Sequence, residues 1–145
     1  MRLSTKGRYG IRAMLDLAQR SKEGPVPLKV IAKRQGISEA YLEQLFSNLK
    51  KAGLVKSVRG PKGGYLLANK PSQITVGDII RALEGPIGLV DCALEKNSIN
   101  CSKSSNCISH IVWEKTKIAL IETLDSISLK DMCDEAKNRF KEINA

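Results

Sequence analysis

Apolar positions recur along this 145-residue chain with two periods, and the switches between them give the order of elements. Ile11, Met14, Leu15 and Ala18 fall at i, i+3, i+4 and i+7, which predicts a first helix from about Ser4 to Ser21, capped near Ser4 or Thr5 and ended by Glu23-Gly24-Pro25. Leu28, Ile31 and Ala32 predict a short second helix that stops at Gly36, and Ser38 opens a third that reaches Lys51. Two helices joined by a few residues that include a glycine make a helix-turn-helix. After Ala52-Gly53 come two strand-like runs, Leu54 to Val58 and Tyr65 to Ala68, around the basic, glycine-rich turn Arg59-Gly60-Pro61-Lys62-Gly63-Gly64. A basic hairpin in that place reads as a wing.

Thr75 with Asp78 forms a capping box ahead of Val76, Ile79, Ile80 and Leu83, so a fourth helix follows the wing. From Glu84 to about Asn106 no period is sustained, and a structureless stretch of that length inside a domain is usually functional or disordered. Ile108, Ile111, Val112, Ile118, Ala119, Ile121 and Leu124 then predict one long helix from about Ser105 to Asp125, roughly 30 Å by the helical rise. A last helix starts at Ser128 with Asp131 as its capping partner. The expected fold class is mainly α with a small β-hairpin wing: a winged helix-turn-helix over 1–84, a cysteine-rich loop over 85–107, and a dimerisation helix plus C-terminal helix over 108–145. The long helix is apolar around much of its circumference and wants a partner helix. A two-fold homodimer is expected rather than packing back on the first helix, since winged readers usually address paired half-sites.

Composition narrows the class. Hydrophobic residues at 42% and charged ones at 27% exclude a disordered chain, and aromatics at 4% leave the core to Leu, Ile, Val, Ala and Met. No apolar run approaches the roughly 18 residues of a membrane span, and MRLSTKGRYG carries charge with no apolar stretch behind it. A cytoplasmic protein without a membrane partner is expected. Net charge is +9, but residues 1–70 hold 15 basic and 4 acidic side chains against 9 and 11 in residues 71–145. A block of that charge attracts a polyanion by counterion release, and double-stranded DNA is the expected partner.

At 100° per residue, Leu42, Leu45, Phe46 and Leu49 line one stripe of the third helix and Ala40, Gln44, Ser47 and Lys51 the opposite one, with Glu43 and Asn48 on the flanks. Gln bonds adenine bidentately, Glu accepts from cytosine N4, Ser serves either role and Ala meets a thymine methyl. Ser38 and Tyr41 in the first turn join the candidate contacts, and Lys6, Lys50 and Lys51 suit phosphates. In the wing, Arg59 and Lys62 suit a narrowed minor groove and its phosphates. A carboxylate facing phosphates is penalised unless a base donor compensates it, so Glu43 would reject operators that lack the donor.

Cys92, Cys101, Cys107 and His110 follow C-x8-C-x5-C-x2-H, and His110 is the chain's one histidine. Stable disulfides are rare in the cytosol, so the cluster points to a metal or redox centre. Thiolates and imidazole bind iron-sulfur clusters or zinc, and the irregular spacing departs from paired zinc knuckles, leaving both open. Cys133, beside Met132, reads as a small buried apolar residue. An enzymatic use of a cysteine beside His110 has no third orienting group in the sequence and leaves the basic half unexplained, so no enzyme is expected.

The stretches RLSTKGRYG, SEAYLEQLFSNLKKAGLVKSVRGPKGGYLLA and TVGDIIRALEG, with the three-cysteine loop after them, strongly resemble the IscR (iron-sulfur cluster regulator) type of BadM/Rrf winged helix-turn-helix transcription factor over almost the whole chain. The resemblance implies a homodimer on a pseudo-palindromic operator, a [2Fe-2S] cluster held by Cys92, Cys101, Cys107 and His110, and control of iron-sulfur biogenesis genes. It further implies DNA contacts from Gln44 and Arg59, with Glu43 discriminating between apo and holo operators. It departs in one respect: eight residues separate Cys92 from Cys101, more than in the best-known members. Nitric-oxide-sensing relatives are expected to ligate through an aspartate in the first helix, where this chain has Arg8. Cysteine-metabolism repressors share the DNA-binding half and the LEGPI segment but lack the loop.

Overall fold

Ser4 starts the first helix by accepting the Lys6 N–H on its hydroxyl, and α1 spans Thr5–Gln19. The computed structural model describes residues 1–96, 98–103 and 105–144. In it α2 (Leu28–Gln35) ends at Gly36, whose left-handed backbone (φ +65°) turns the chain where a side chain would be strained. Ile37 then drops into the core, and Ser38 caps α3 (Glu39–Lys51) by accepting the Tyr41 N–H. Strands β1 (Val55–Val58) and β2 (Gly64–Leu67) pair antiparallel in the register Val55 to Leu67 through Val58 to Gly64. Val26 adds a third, single-residue rung by exchanging backbone hydrogen bonds with Tyr65 at 2.9 and 2.8 Å.

The expected capping box is formed: Thr75 and Asp78 exchange side-chain and backbone bonds at the start of α4 (Val76–Glu84). Glu84 at its far end accepts from the Gly7 N–H at 2.9 Å and from the Ser4 hydroxyl, so α4 caps the N-terminus of α1. A carboxylate there meets both the free N–H groups and the positive end of the helix dipole. Short 3-10 turns lie at Pro71–Gln73 and Asp91–Ala93. The long helix α5 (Ile108–Asp125) begins at the first residue of its apolar period and later than the expected start near Ser105, because a turn bonding Asn106 N–H to Lys103 C=O holds the preceding chain and Cys107 takes the capping position in extended backbone. Then α6 (Leu129–Ile143) starts from a Ser128/Asp131 capping box, as expected.

Met14, Leu17, Ile31, Leu42, Leu45, Phe46, Leu49, Ile74, Ile79 and Leu129 are fully buried. All four residues of the predicted inward stripe of α3 are thus in the core, with Phe46 edge-on to Tyr65 at 4.9 Å. Leu129 brings α6 into this core, because the segments before α4 and α6 pair at Val76 N–H to Ile127 C=O (2.8 Å) and Leu129 N–H to Ile74 C=O (2.9 Å). Packing of α6 on α1 has no forerunner in the sequence pattern. Cys133 is half-buried against the core, and burial pushes its thiol pKa up. A second small cluster of Val76, Ile80 and Ile87 receives Leu120, Ile121 and Leu124 of α5. Among the described residues no helix is long and apolar enough to cross a membrane.

Candidate functional site

Helix α3, the expected reading helix, is held by polar ties around its edges. Ala40, Glu43, Gln44, Ser47 and Lys51 are exposed together on its outer side, as the spacing predicts. Tyr41 is half-buried instead, its hydroxyl 2.8 Å from the Thr5 Oγ1 and its ring edge-on to Tyr9 at 6.1 Å. Its hydroxyl thus joins α3 to the first turn of α1, while Ser38 is spent on its own N–H cap. The Lys50 Nζ donates to the Ser57 Oγ at 2.7 Å and so fastens the end of α3 to the wing. Lys6, Arg59 and Lys62 are exposed, and the Gly63 N–H closes the wing turn on the Gly60 carbonyl at 2.9 Å.

Two features beside the reading helix escaped the sequence pattern. The guanidinium groups of Arg8 and Arg12 stand 5.7 and 5.5 Å from the centre of the Tyr9 ring, cation–π contacts on the wall next to α3. Arg12 also donates to the Gln35 backbone carbonyl at 2.6 Å. Behind them lies the one buried charge among the described residues, Asp16, 3% exposed. It accepts from both Arg34 and Gln35 and so locks α1 to α2. Burial pushes its pKa up, but the bonds from Arg34 and Gln35 outweigh that and hold the carboxyl below its ordinary value. An Asp within α1 and an Arg and a Gln at the end of α2 carry no periodic signal, which is why this lock is invisible before the fold is known.

The four candidate ligands are distributed along the cysteine loop. Cys92 sits half-buried in the Asp91–Ala93 turn, Cys101 is exposed, and Cys107 and His110 stand one turn apart at the start of α5. Among the described residues no three His, Cys, Asp or Glu side chains are grouped as a metal would require; Cys107 and His110 share the first turn of α5, and the turn that carries Cys92 packs on that helix. Asn97 and Ser104 of the loop lie outside the described residues. The donors nevertheless fit a metal group. None of the four cysteines is in a disulfide, and the Nδ1 of His110 is buried with no hydrogen-bond partner among the described residues. An unpaired buried nitrogen is costly, and coordination is one way to satisfy it. Its other nitrogen, Nε2, is 3.6 Å from Glu114, beyond hydrogen-bond reach.

The near end of the loop is tied to the head through Arg81 on α4. Its Nε donates to Glu95 at 2.7 Å and its two terminal nitrogens donate to Asp125 of α5 at 2.7 and 2.8 Å. Glu95 also accepts the Ile87 N–H at 3.0 Å, which closes the loop segment around Cys92. Burial raises the Glu95 pKa, but the Arg81 and Ile87 bonds win and the carboxyl ionises below its ordinary value. Asp125 is lowered by its Arg81 bonds. Gly77 faces this bridge, and a β-carbon there would overlap the Asp125 carboxylate.

A helix-turn-helix whose second helix presents a polar face, followed at once by a basic two-stranded hairpin, defines a winged helix-turn-helix DNA-binding protein. The chain belongs to the Rrf2 family, described as "Iron-dependent Transcriptional regulator", which matches residues 3–135. It is similar to the HTH-type transcriptional regulator IscR of Aliivibrio salmonicida, 47% identical over 91% of this chain and 77% of that protein, and to IscR of Photorhabdus laumondii, 47% identical over 91% and 79%. Among solved structures, IscR of T. potens is 53% identical with a TM-score of 0.77, covering 94% of this chain and 88% of that one. CymR, the global cysteine regulator of B. subtilis, is 47% identical with a TM-score of 0.75 over 93% and 98%. The chain is an IscR-type transcriptional regulator, a role that is not enzymatic.

Proposed function

We propose that this protein is a cytoplasmic homodimer that binds a pseudo-palindromic operator under the control of a [2Fe-2S] cluster held by Cys92, Cys101, Cys107 and His110, and that its operators serve iron-sulfur cluster assembly. One observation carries the cluster: the buried, unpartnered Nδ1 of His110, one turn from Cys107. When bound, the cluster supplies an occupancy that follows iron and sulfide supply. Among solved structures IscR of T. potens is 53% and CymR 47% identical, and the cysteine loop, expected to be missing from cysteine-metabolism repressors, favours the IscR reading further.

The chain's own residues supply the rest. Gln44, Glu43, Ser47 and Ala40 face the major groove, Ser38 and Tyr41 set the entry of α3, and Lys6, Lys51, Arg59 and Lys62 meet phosphates and the minor groove. Ile108, Ile111, Val112 and Ile118 share one exposed face of α5, opposite Leu120 and Leu124, which pack on α4, and this face supports a second copy of the helix as its cover. Ligation through Cys92 and Cys107 would fix the segment fastened by Glu95 to Arg81, and Arg81 belongs to α4, which caps α1. A ligand shifts this arrangement only by its preference for one of two states.

Anaerobic purification tests the reading. A red-brown protein whose visible absorption is lost in His110→Ala is the expected result, and a colourless protein carrying zinc overturns it. On DNA, Lys62→Ala is expected to flatten the salt dependence of operator affinity by about 1 in slope. An unchanged slope removes Lys62 from the contacts.

A further inference from the structure

Away from the reading face and the cysteine loop, a cleft of about 700 Å³ opens between the C-terminal end of α1, the Pro71–Gln73 turn and α6. Lys22, Lys70, Lys130 and Lys137 line it together with Ala18 and Pro71. Lys130, Cys133, Asp134 and Lys137 reach it as one stripe of α6 at i, i+3, i+4 and i+7. Asp134 pairs with Lys130 at 2.7 Å. Lys22, Lys70 and Lys137 have no carboxylate within ion-pair distance among the described residues. Three uncompensated ammonium groups in a concavity repel one another and focus a positive potential there, which an entering anion relieves. Two of the four lysines come from the half of the chain in which acidic residues outnumber basic ones, so the cluster is not a by-product of the basic DNA-binding half. The volume lies within the roughly 300–1,000 Å³ typical of small-molecule sites, and the apolar part of the lining suits a flat organic body.

We propose that this cleft binds a small organic polyphosphate of nucleoside triphosphate size, its phosphates on Lys22, Lys70 and Lys137 and its body against Ala18 and Pro71. Such a ligand would bridge α6 to the segment that leaves the wing. The end of α1 at the cleft is about 22 Å by helical rise from the end that meets the reading helix through Thr5. Occupancy is therefore an input separate from the cysteine loop.

The test uses ATP as probe and the metal-free chain in isothermal titration calorimetry. Saturable binding at one site per chain is expected, weakened about tenfold or more in Lys22→Gln/Lys137→Gln, equivalent to about 1.4 kcal/mol, and kept within about twofold in Arg59→Gln/Lys62→Gln. Circular dichroism of both variants checks that these exposed substitutions leave the fold intact. As a second readout, ATP should slow alkylation of Cys133, which lines the cleft, measured peptide by peptide by mass spectrometry. Absence of saturable binding overturns the proposal, as does binding lost equally in the wing variant. Loss of operator affinity with a shallower salt slope in the Lys22/Lys137 variant also overturns it, by reassigning these lysines to the DNA backbone.

Discussion

The helix-turn-helix head and the cysteine loop with α5 are built on opposite principles. In the head, the helices put their apolar stripes into one core, α1, α3 and α4 start on side-chain caps, and the buried carboxylate of Asp16 is bonded from two directions. In the loop, few backbone bonds are made, Ile99 and Cys101 are exposed, and α5 has no buried residue along 18 positions. The head buries its apolar side chains within itself, whereas the loop and the outer face of α5 leave theirs exposed. Between the two stands Arg81, whose bonds to Glu95 and Asp125 are the polar link from one region to the other.

The largest test of that contrast lies in the head. Removing one partner of a buried ion pair strands a charge, so Arg34→Ala should lower the unfolding free energy by about 3 kcal/mol in chemical denaturation, moderated by the Gln35 bond that Asp16 keeps. A change below about 1 kcal/mol would mean that the head is not held by this lock. Next comes the link. Arg81→Met should cost about 2 kcal/mol, since Glu95 and Asp125 both lose a charge-assisted bond. It should also make amide exchange of residues 86–95 faster while leaving α3 protected. Equal loosening of α3 would show the two regions to be one cooperative unit.

Much of the head was legible because its chemistry is periodic or local. The caps at Ser4, Ser38, Thr75 and Ser128, the stop at Gly36 and the inward stripe of α3 are each dictated by residues within one or two turns of one another. The outward face with Gln44 and Glu43 followed from the same period. Asp16–Arg34, Glu84 on the N-terminus of α1 and Arg81 between Glu95 and Asp125 were not legible, because each joins residues brought together only by packing. Tyr41 shows the limit within the face itself: its position on the helix suited a DNA contact, and nothing local to α3 announced Thr5 as the neighbour of its hydroxyl. The cysteine loop was legible only as a set of candidate ligands and not as a shape, since its spacing carries chemistry without a backbone period.

Acid should separate the regions more gently. Asp16, Glu95 and Asp125 all ionise below their ordinary values in the folded chain, so each adds stability above about pH 4, the unfolded carboxyl range, and withdraws it as pH falls through the lowered folded value. Unfolding free energy is expected to be flat from pH 7 to about 5 and to fall below it. Arg34→Ala should flatten the acid limb by removing the largest of the causes that lower Asp16. Arg81→Met should flatten it through Glu95 and Asp125. A slope untouched by both variants would assign the acid sensitivity elsewhere.

The smallest expected effect is the sharpest for the loop. In chelator-treated, metal-free protein, His110→Ala removes a ring whose buried Nδ1 bonds nothing among the described residues and whose Nε2 is too far from Glu114 to bond it. No hydrogen bond is broken, and a half-exposed turn at the start of α5 can relax, so the thermal midpoint should correspond to a change within about 0.5 kcal/mol. After iron and sulfide are supplied anaerobically, the parent chain should gain stability by mass action on its folded form while the variant gains none, because a ligand stabilises only the state that holds it. A cost above about 1 kcal/mol already in the metal-free protein would make His110 a packing residue of α5, and the loop would then be stabilised by its own side chains much as the head is.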